Sequence, residues 1–161
     1  MINLIIKQLL DEDFVNYKKP SIFIGFPTCT WKCEKECGKK MCQNSSLAHS
    51  PNIEIAYKDI VNRYIENPIT KAIVFGGLEP FDSWKDLANL VDEFRKHTND
   101  DIVIYTGYYE MEIAQDIEYL RQNYDNIIIK FGRFIPNQQP HYDKILGINL
   151  VSDNQFGTRI S

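Results

Sequence analysis

Five apolar runs, each followed by a polar or glycine-rich segment, constrain this chain more than any other feature. They read SIFIGF from Ser21, AIVF from Ala72, IVIY from Ile102, IIIKF from Ile127 and, less cleanly, ILGINLV from Ile145. Each is rich in Ile, Val and Phe and lacks polar alternation, the pattern of a strand buried on both faces. Helical stripes lie between them. Leu87, Leu90, Val91 and Phe94 recur at i, i+3, i+4 and i+7, behind a capping box predicted at Ser83 and Asp86. Ile113, Ile117, Leu120 and Tyr124 make a second stripe, and Ile60, Val61, Tyr64 and Ile65 a shorter third. All three are read as core packing. The first twenty residues are expected to form an edge strand and a turn closed by Pro20.

Alternation of strand and helix calls for right-handed βαβ units and a parallel sheet. Every strand of such a sheet ends at one edge, so the loops that follow gather there. Those loops hold the unusual residues: FPTCTWKCEKEC after the first run, GGLEPFDS after the second, TGYYE after the third, GRFIPN after the fourth and SDNQ after the fifth. A chain of 161 residues can bury one real core. With no internal repeat or linker, residues 1–161 are expected to form a single domain, 1–20 as an N-terminal edge segment and 21–155 as the core. Hydrophobic residues at 43% and charged residues at 25% exclude disorder. A formal charge of −4 argues against non-specific nucleic-acid binding, which needs many unpaired Lys and Arg. No apolar run is long enough for a membrane span, and the N-terminal run is too short for a signal peptide. A cytoplasmic protein is expected, where thiols stay reduced and serve as metal ligands or catalysts rather than disulfides.

All four cysteines fall in one stretch, CTWKCEKECGKKMC, as Cys29, Cys33, Cys37 and Cys42. Zinc prefers two cysteine pairs held apart by a longer spacer. Here the gaps are x3, x3 and x4, with no distant second pair. Closely spaced thiolates from one loop suit an iron–sulfur cluster, and three of them on a cube leave one iron open to a small molecule. The cluster is the favoured reading; zinc and inert thiols remain beside it. In GGLEP, Gly76 and Gly77 follow a buried strand, where a side chain would keep a ligand from the backbone. Glu79 then supplies an acceptor suited to an ammonium group. A Gly-Gly pair after a strand is by itself more often a tight turn; beside a cysteine loop on the same edge it gains weight.

Cys29-x3-Cys33 with further cysteines downstream, then GGLEP and then YTGY, resembles the radical S-adenosylmethionine superfamily. In size and later loops the chain is most similar to the anaerobic ribonucleotide reductase-activating proteins, a family of glycyl radical enzyme activases. The resemblance runs from about Phe23 to Gln155 and rests on Cys42-Gln43-Asn44, Gly76-Gly77-Leu78-Glu79-Pro80, Thr106-Gly107-Tyr108 and Asn154-Gln155. Two departures stand out. The family spacing of x3 and x2 is missing, and because Asn44 follows Cys42 as the family's Asn follows its last cysteine, Cys42 is favoured as third ligand, with Cys37 the alternative. Leu78 also stands between the glycines and Glu79.

The resemblance implies an α/β fold, a small partial (β/α) barrel with a mainly parallel sheet and cofactor loops at the C-terminal ends of the strands. It implies a [4Fe-4S] cluster on Cys29, Cys33 and Cys42, and S-adenosylmethionine bound with Gly76, Gly77 and Glu79 around its methionine end. Thr106 is placed near the ribose, Asn154 near the nucleoside, and Asn44 among the cofactor-binding residues. Lys130 or Arg133 is a candidate for the ligand carboxylate; both are equally readable as surface charges, the favoured reading for Arg133, and Trp31 is a candidate for shielding the cluster or for packing under the loop. The implied activity is that of a radical oxidoreductase: reductive cleavage of S-adenosylmethionine and generation of a glycyl radical on the large subunit of anaerobic ribonucleotide reductase. A flavodoxin-like low-potential donor is the expected electron partner; Lys32, Lys35, Lys39 and Lys40, set against Glu34 and Glu36, are readable equally as a mildly basic docking rim or as a solvated loop. A radical enzyme acting on another protein or peptide, and a non-catalytic zinc-binding interaction module, remain as alternatives.

Overall fold

A computed structural model describes residues 3–29 and 45–161. Two strands open the chain, β1 (Asn3–Ile6) and β2 (Gln8–Asp13). The first apolar run is β3 (Ser21–Phe26). A one-turn helix, α1 (Ser45–Ala48), a strand, β4 (Ile53–Ala56), and α2 (Tyr57–Glu66) follow. Then come β5 (Ala72–Gly77), α3 (Trp84–Arg95), β6 (Asp101–Tyr105), α4 (Ala114–Asn123) and β7 (Ile127–Phe131). Three short strands end the chain, β8 (His141–Asp143), β9 (Ile148–Leu150) and β10 (Phe156–Arg159).

The central sheet has the order β10-β7-β6-β5-β3-β2. Its four inner strands are parallel, with Ile24 beside Phe75, Phe75 beside Ile104 and Ile104 beside Ile129. Its two edge strands, β2 and β10, run antiparallel to their neighbours. Because side chains alternate along a strand, the two faces receive different residues. Ile22, Ile24, Phe26, Ile73, Phe75, Ile104 and Ile129 join the helix-side core with Ile60, Val61 and Tyr64 of α2, Leu87, Leu90, Val91 and Phe94 of α3, and Ile117 and Leu120 of α4. Each fully buried Ile or Leu there contributes roughly 2 kcal/mol. The other face, with Phe23, Val74, Val103 and Ile128, is covered by Tyr17 and by Leu146 and Leu150 of the β8–β9 hairpin. No helix packs on that side among the described residues.

Four local expectations are corrected. ILGINLV does not join the central sheet: only Ile148–Leu150 is extended, paired with β8, and the sheet edge is taken by Phe156–Arg159. The N-terminal segment makes two strands rather than one, since β1 pairs with β4 and only β2 forms the edge. The capping box does not form, because a 3₁₀ turn at Pro80–Ser83 leads into α3 and turns the two side chains elsewhere. Ser83 Oγ lies 3.1 Å from Thr28 Oγ1, and Asp86 accepts from the Tyr57 hydroxyl. Ile65 is 49% exposed, because it points off the buried stripe of α2. No helix is long and apolar enough to cross a membrane.

Candidate functional site

The C-terminal ends of β5, β6 and β7 frame a cavity of about 320 Å³. Gly76, Gly77, Leu78 and Glu79 line it after β5, Tyr105 to Tyr108 at the end of β6, and Lys130, Gly132 and Arg133 at the end of β7. Cys29, half-buried, lines it from the loop after β3, and Val15, Asn16 and the Ile148–Val151 segment close the opposite wall. Parallel strands bring these loops together, as the topology requires.

The Gly-Gly turn is demanded first by the backbone. Gly77 has φ +83°, and a Cβ there would lie 2.7 Å from the Gly25 Cα and the Phe26 nitrogen. Only glycine fits so close to the neighbouring strand. Past the turn, Leu78 N–H donates to Phe26 O at 3.2 Å and Glu79 N–H to Thr28 O at 2.7 Å. The pairing of β3 and β5 thereby continues to the residue before Cys29. Thr28, the residue before Cys29, and the GGLEP segment are thus tied to one another by main chain.

Glu79 is the centre of the site. It is 5% exposed, and its carboxylate accepts from Thr106 Oγ1 at 2.9 and 3.0 Å, from Gly107 N–H at 2.8 Å and from Phe81 N–H at 3.1 Å. Burial pushes its pKa up to about 7; the bonds from Gly107, Phe81 and Thr106 oppose that rise, and the nearby Asp82 charge adds to it. Thr106 in turn accepts from Tyr108 N–H at 3.0 Å. A carboxyl poised near neutrality in a cavity is a mark of functional sites.

The cations behave differently from one another. Lys130 is 7% exposed, donates to Gly132 O at 3.0 Å and lies 5.7 Å from the centre of the Tyr105 ring. Arg133, readable from sequence as a surface charge, is only 4% exposed. It donates to both Glu112 oxygens and stacks 4.7 Å over the Tyr109 ring. Asn154 is not among the cavity-lining residues: its amide donates to the Tyr109 hydroxyl at 2.9 Å and to Arg133 O at 2.7 Å, so it braces the wall from behind. Its neighbour Gln155 faces the cavity instead.

The structure thus brings together Cys29, Gly76, Gly77, Glu79 and Thr106. Cys33, Cys37, Cys42 and Asn44, with Trp31 and the loop lysines, lie outside the described residues. Sequence reasoning missed Phe23, Tyr105 and Gln155 as lining residues, and the backbone donors of Phe81 and Gly107. Periodicity would have flagged Phe23 and Tyr105, which share the parity of the thinly covered sheet face; the backbone donors left no signal in residue types.

Residues 21–155 match the family model described as the 4Fe-4S single cluster domain. No curated protein and no solved structure matches the chain.

Proposed function

The chain belongs to the 4Fe-4S single cluster domain family, and on that premise we propose that it is a radical S-adenosylmethionine enzyme that activates a glycyl radical protein. The observation that carries this reading is the joining of Cys29, the Gly76–Gly77 turn, Glu79 and Thr106 around one cavity at the ends of parallel strands. The donor set fits an iron–sulfur cluster: four thiols in a single 14-residue stretch, with Cys29 beside the cavity. Cys29, Cys33 and Cys42 would hold it, with Cys37 the alternative third ligand. Bound there and reduced, such a cluster would supply the electron for reductive cleavage of S-adenosylmethionine.

The chain's own residues do the binding and orienting. The Gly76–Gly77 turn brings main chain to the cavity wall without side chains in the way. The Glu79 carboxylate suits the ammonium group of the methionine end, and the buried Lys130 ammonium suits its carboxylate. Phe23, Ile148 and Leu150 exclude water from the apolar wall. The substrate in this reading is the glycyl loop of the large subunit of an anaerobic ribonucleotide reductase, and a flavodoxin-like protein supplies the electron.

The test is reductive turnover of the anaerobically reconstituted protein. 5′-Deoxyadenosine and methionine should form, and a glycyl radical signal should appear by electron paramagnetic resonance once the reductase subunit is added. Absence of 5′-deoxyadenosine sinks the reading. Its formation without a glycyl radical moves the target to another protein or peptide. Replacing Cys37 and Cys42 by Ala one at a time should abolish the cluster only for Cys42; loss in both would mean ligation by all four.

A further inference from the structure

We infer that Thr106 is a positioning residue whose hydroxyl aims the Glu79 carboxylate at the ammonium group of the bound sulfonium cofactor, rather than a hydrogen-bond donor to the ribose. The inference rests on the functional reading above. A threonine hydroxyl has one proton. That proton is committed: Thr106 is 2% exposed, and its Oγ1 sits 2.9 and 3.0 Å from the two Glu79 oxygens. The rotor is fixed from the other side, because the same oxygen accepts from Tyr108 N–H at 3.0 Å. The Thr106 backbone is itself anchored, its N–H donating to Lys130 O at 2.9 Å. With Glu79 ionised, as a carboxylate facing an ammonium group must be, Thr106 therefore has no proton to offer a ligand.

What it does offer is a fixed carboxylate. A carboxylate has about four lone-pair sites, and three donors already address Glu79: Thr106, Gly107 and Phe81. Gly107 and Phe81 reach one oxygen each, while Thr106 lies between both oxygens and sets the twist of the group. The remaining acceptor site belongs to a residue that lines the cavity. Of the three donors, only Thr106 can be removed by changing a side chain, so its role can be isolated.

The experiment is calorimetric titration of S-adenosylmethionine into the cluster-loaded, unreduced protein, which reads binding without turnover. Wild type is compared with Thr106→Val, Thr106→Ser, Glu79→Gln and the Thr106→Val/Glu79→Gln double variant, each with its iron and sulfide content measured. Thr106→Val should weaken binding about tenfold at unchanged cluster content, and Thr106→Ser should stay within about twofold of wild type. The double variant should bind no more weakly than Glu79→Gln alone, the sign that Thr106 acts through Glu79. Wild-type affinity in Thr106→Val, failure of serine to restore it, or losses that add in the double variant would overturn the inference. If wild type itself does not bind S-adenosylmethionine, the functional reading falls and takes the inference with it.

Discussion

Asp101 and Glu79 are both buried carboxylates at ends of the parallel strands, and they meet burial in opposite ways. Asp101 opens β6 at the N-terminal end and accepts from Tyr17 Oη at 2.7 Å, Lys19 Nζ at 2.8 Å and Arg159 at 3.2 Å. Burial alone would raise its pKa, but the bonds from Lys19, Tyr17 and Arg159 outweigh it and hold the carboxyl below its usual value. Glu79 follows β5 at the C-terminal end, and its donors are one hydroxyl and two backbone amides, all neutral. Burial wins there, and the pKa rises to about 7. The difference separates structure from function. Asp101 is neutralised by the chain's own cations and ties the N-terminal segment and β10 to the sheet. Glu79 is held in place by neutral donors alone, an arrangement that suits the cationic ligand proposed above.

The contrast between the two ends of the sheet is tested most severely at Cys29. Cys29→Ala should remove essentially all bound iron and the visible absorption of the reconstituted protein while leaving its helical circular dichroism intact. Loss of the fold along with the iron would mean that the C-terminal edge is structural too.

The next largest effect is a difference in pH dependence. A carboxyl whose pKa is raised in the fold favours folding fully below its unfolded value of about 4.5, and that advantage is lost as the pH rises through about 7. The stability of wild type relative to Glu79→Gln, measured by urea unfolding of the cluster-free protein, should therefore fall by about 3 kcal/mol between about pH 4 and about pH 8. Asp101 has the opposite sign. Its depressed pKa gives stability that is present above the unfolded value of 3.8 and lost as the pH falls through the folded one. A wild-type minus Glu79→Gln difference that is flat with pH would erase the distinction between the two carboxylates.

Asp101→Asn comes third. Lys19 and Arg159 are each more than 40% exposed, so water takes over much of what they lose. The buried bond from Tyr17 and the charge-assisted bonds still leave a cost of about 2 kcal/mol, or roughly 4–8 °C in melting temperature. Cluster content and cofactor affinity should not move. A change in either would mean that the two ends of the sheet are coupled.

How much of this could be read from residues alone follows the same divide. Four strands are legible because each is buried on both faces, and burial on both faces leaves an uninterrupted apolar run: Ile22, Ile73, Ile102 and Ile127 start four of them or stand next to the start. β10, FGTR, is not legible, since an edge strand half exposed to water carries no such run. ILGINLV misleads because Leu146 and Leu150 are apolar for covering the sheet, not for joining it. At the site, Cys29, the glycines and Glu79 announce themselves by type and spacing. The partners of Glu79 do not: Phe81 and Gly107 serve through backbone N–H groups, and only the strand register brings them within reach. Arg133 misleads in the same way, since its burial depends on Glu112 and Tyr109, which a different loop supplies.

The smallest effect tests the cavity wall. Tyr105 ends β6, and its hydroxyl donates to Asn16 O at 2.7 Å, fastening the turn that Asp13 organises through Asn16 Nδ2 at 2.7 Å and Val15 N–H at 3.3 Å. Tyr105→Phe removes that one bond and keeps the ring beside Lys130. The Asn16 carbonyl is part-exposed and can turn to water, so no buried acceptor is stranded. The cost should be about 1 kcal/mol, seen as a fall of roughly 2–4 °C in melting temperature and faster amide exchange confined to residues 15–17. An equal or larger loss than in Asp101→Asn would show that the wall of the cavity carries the fold as much as the opposite edge does, and the division of labour between the two ends would not stand.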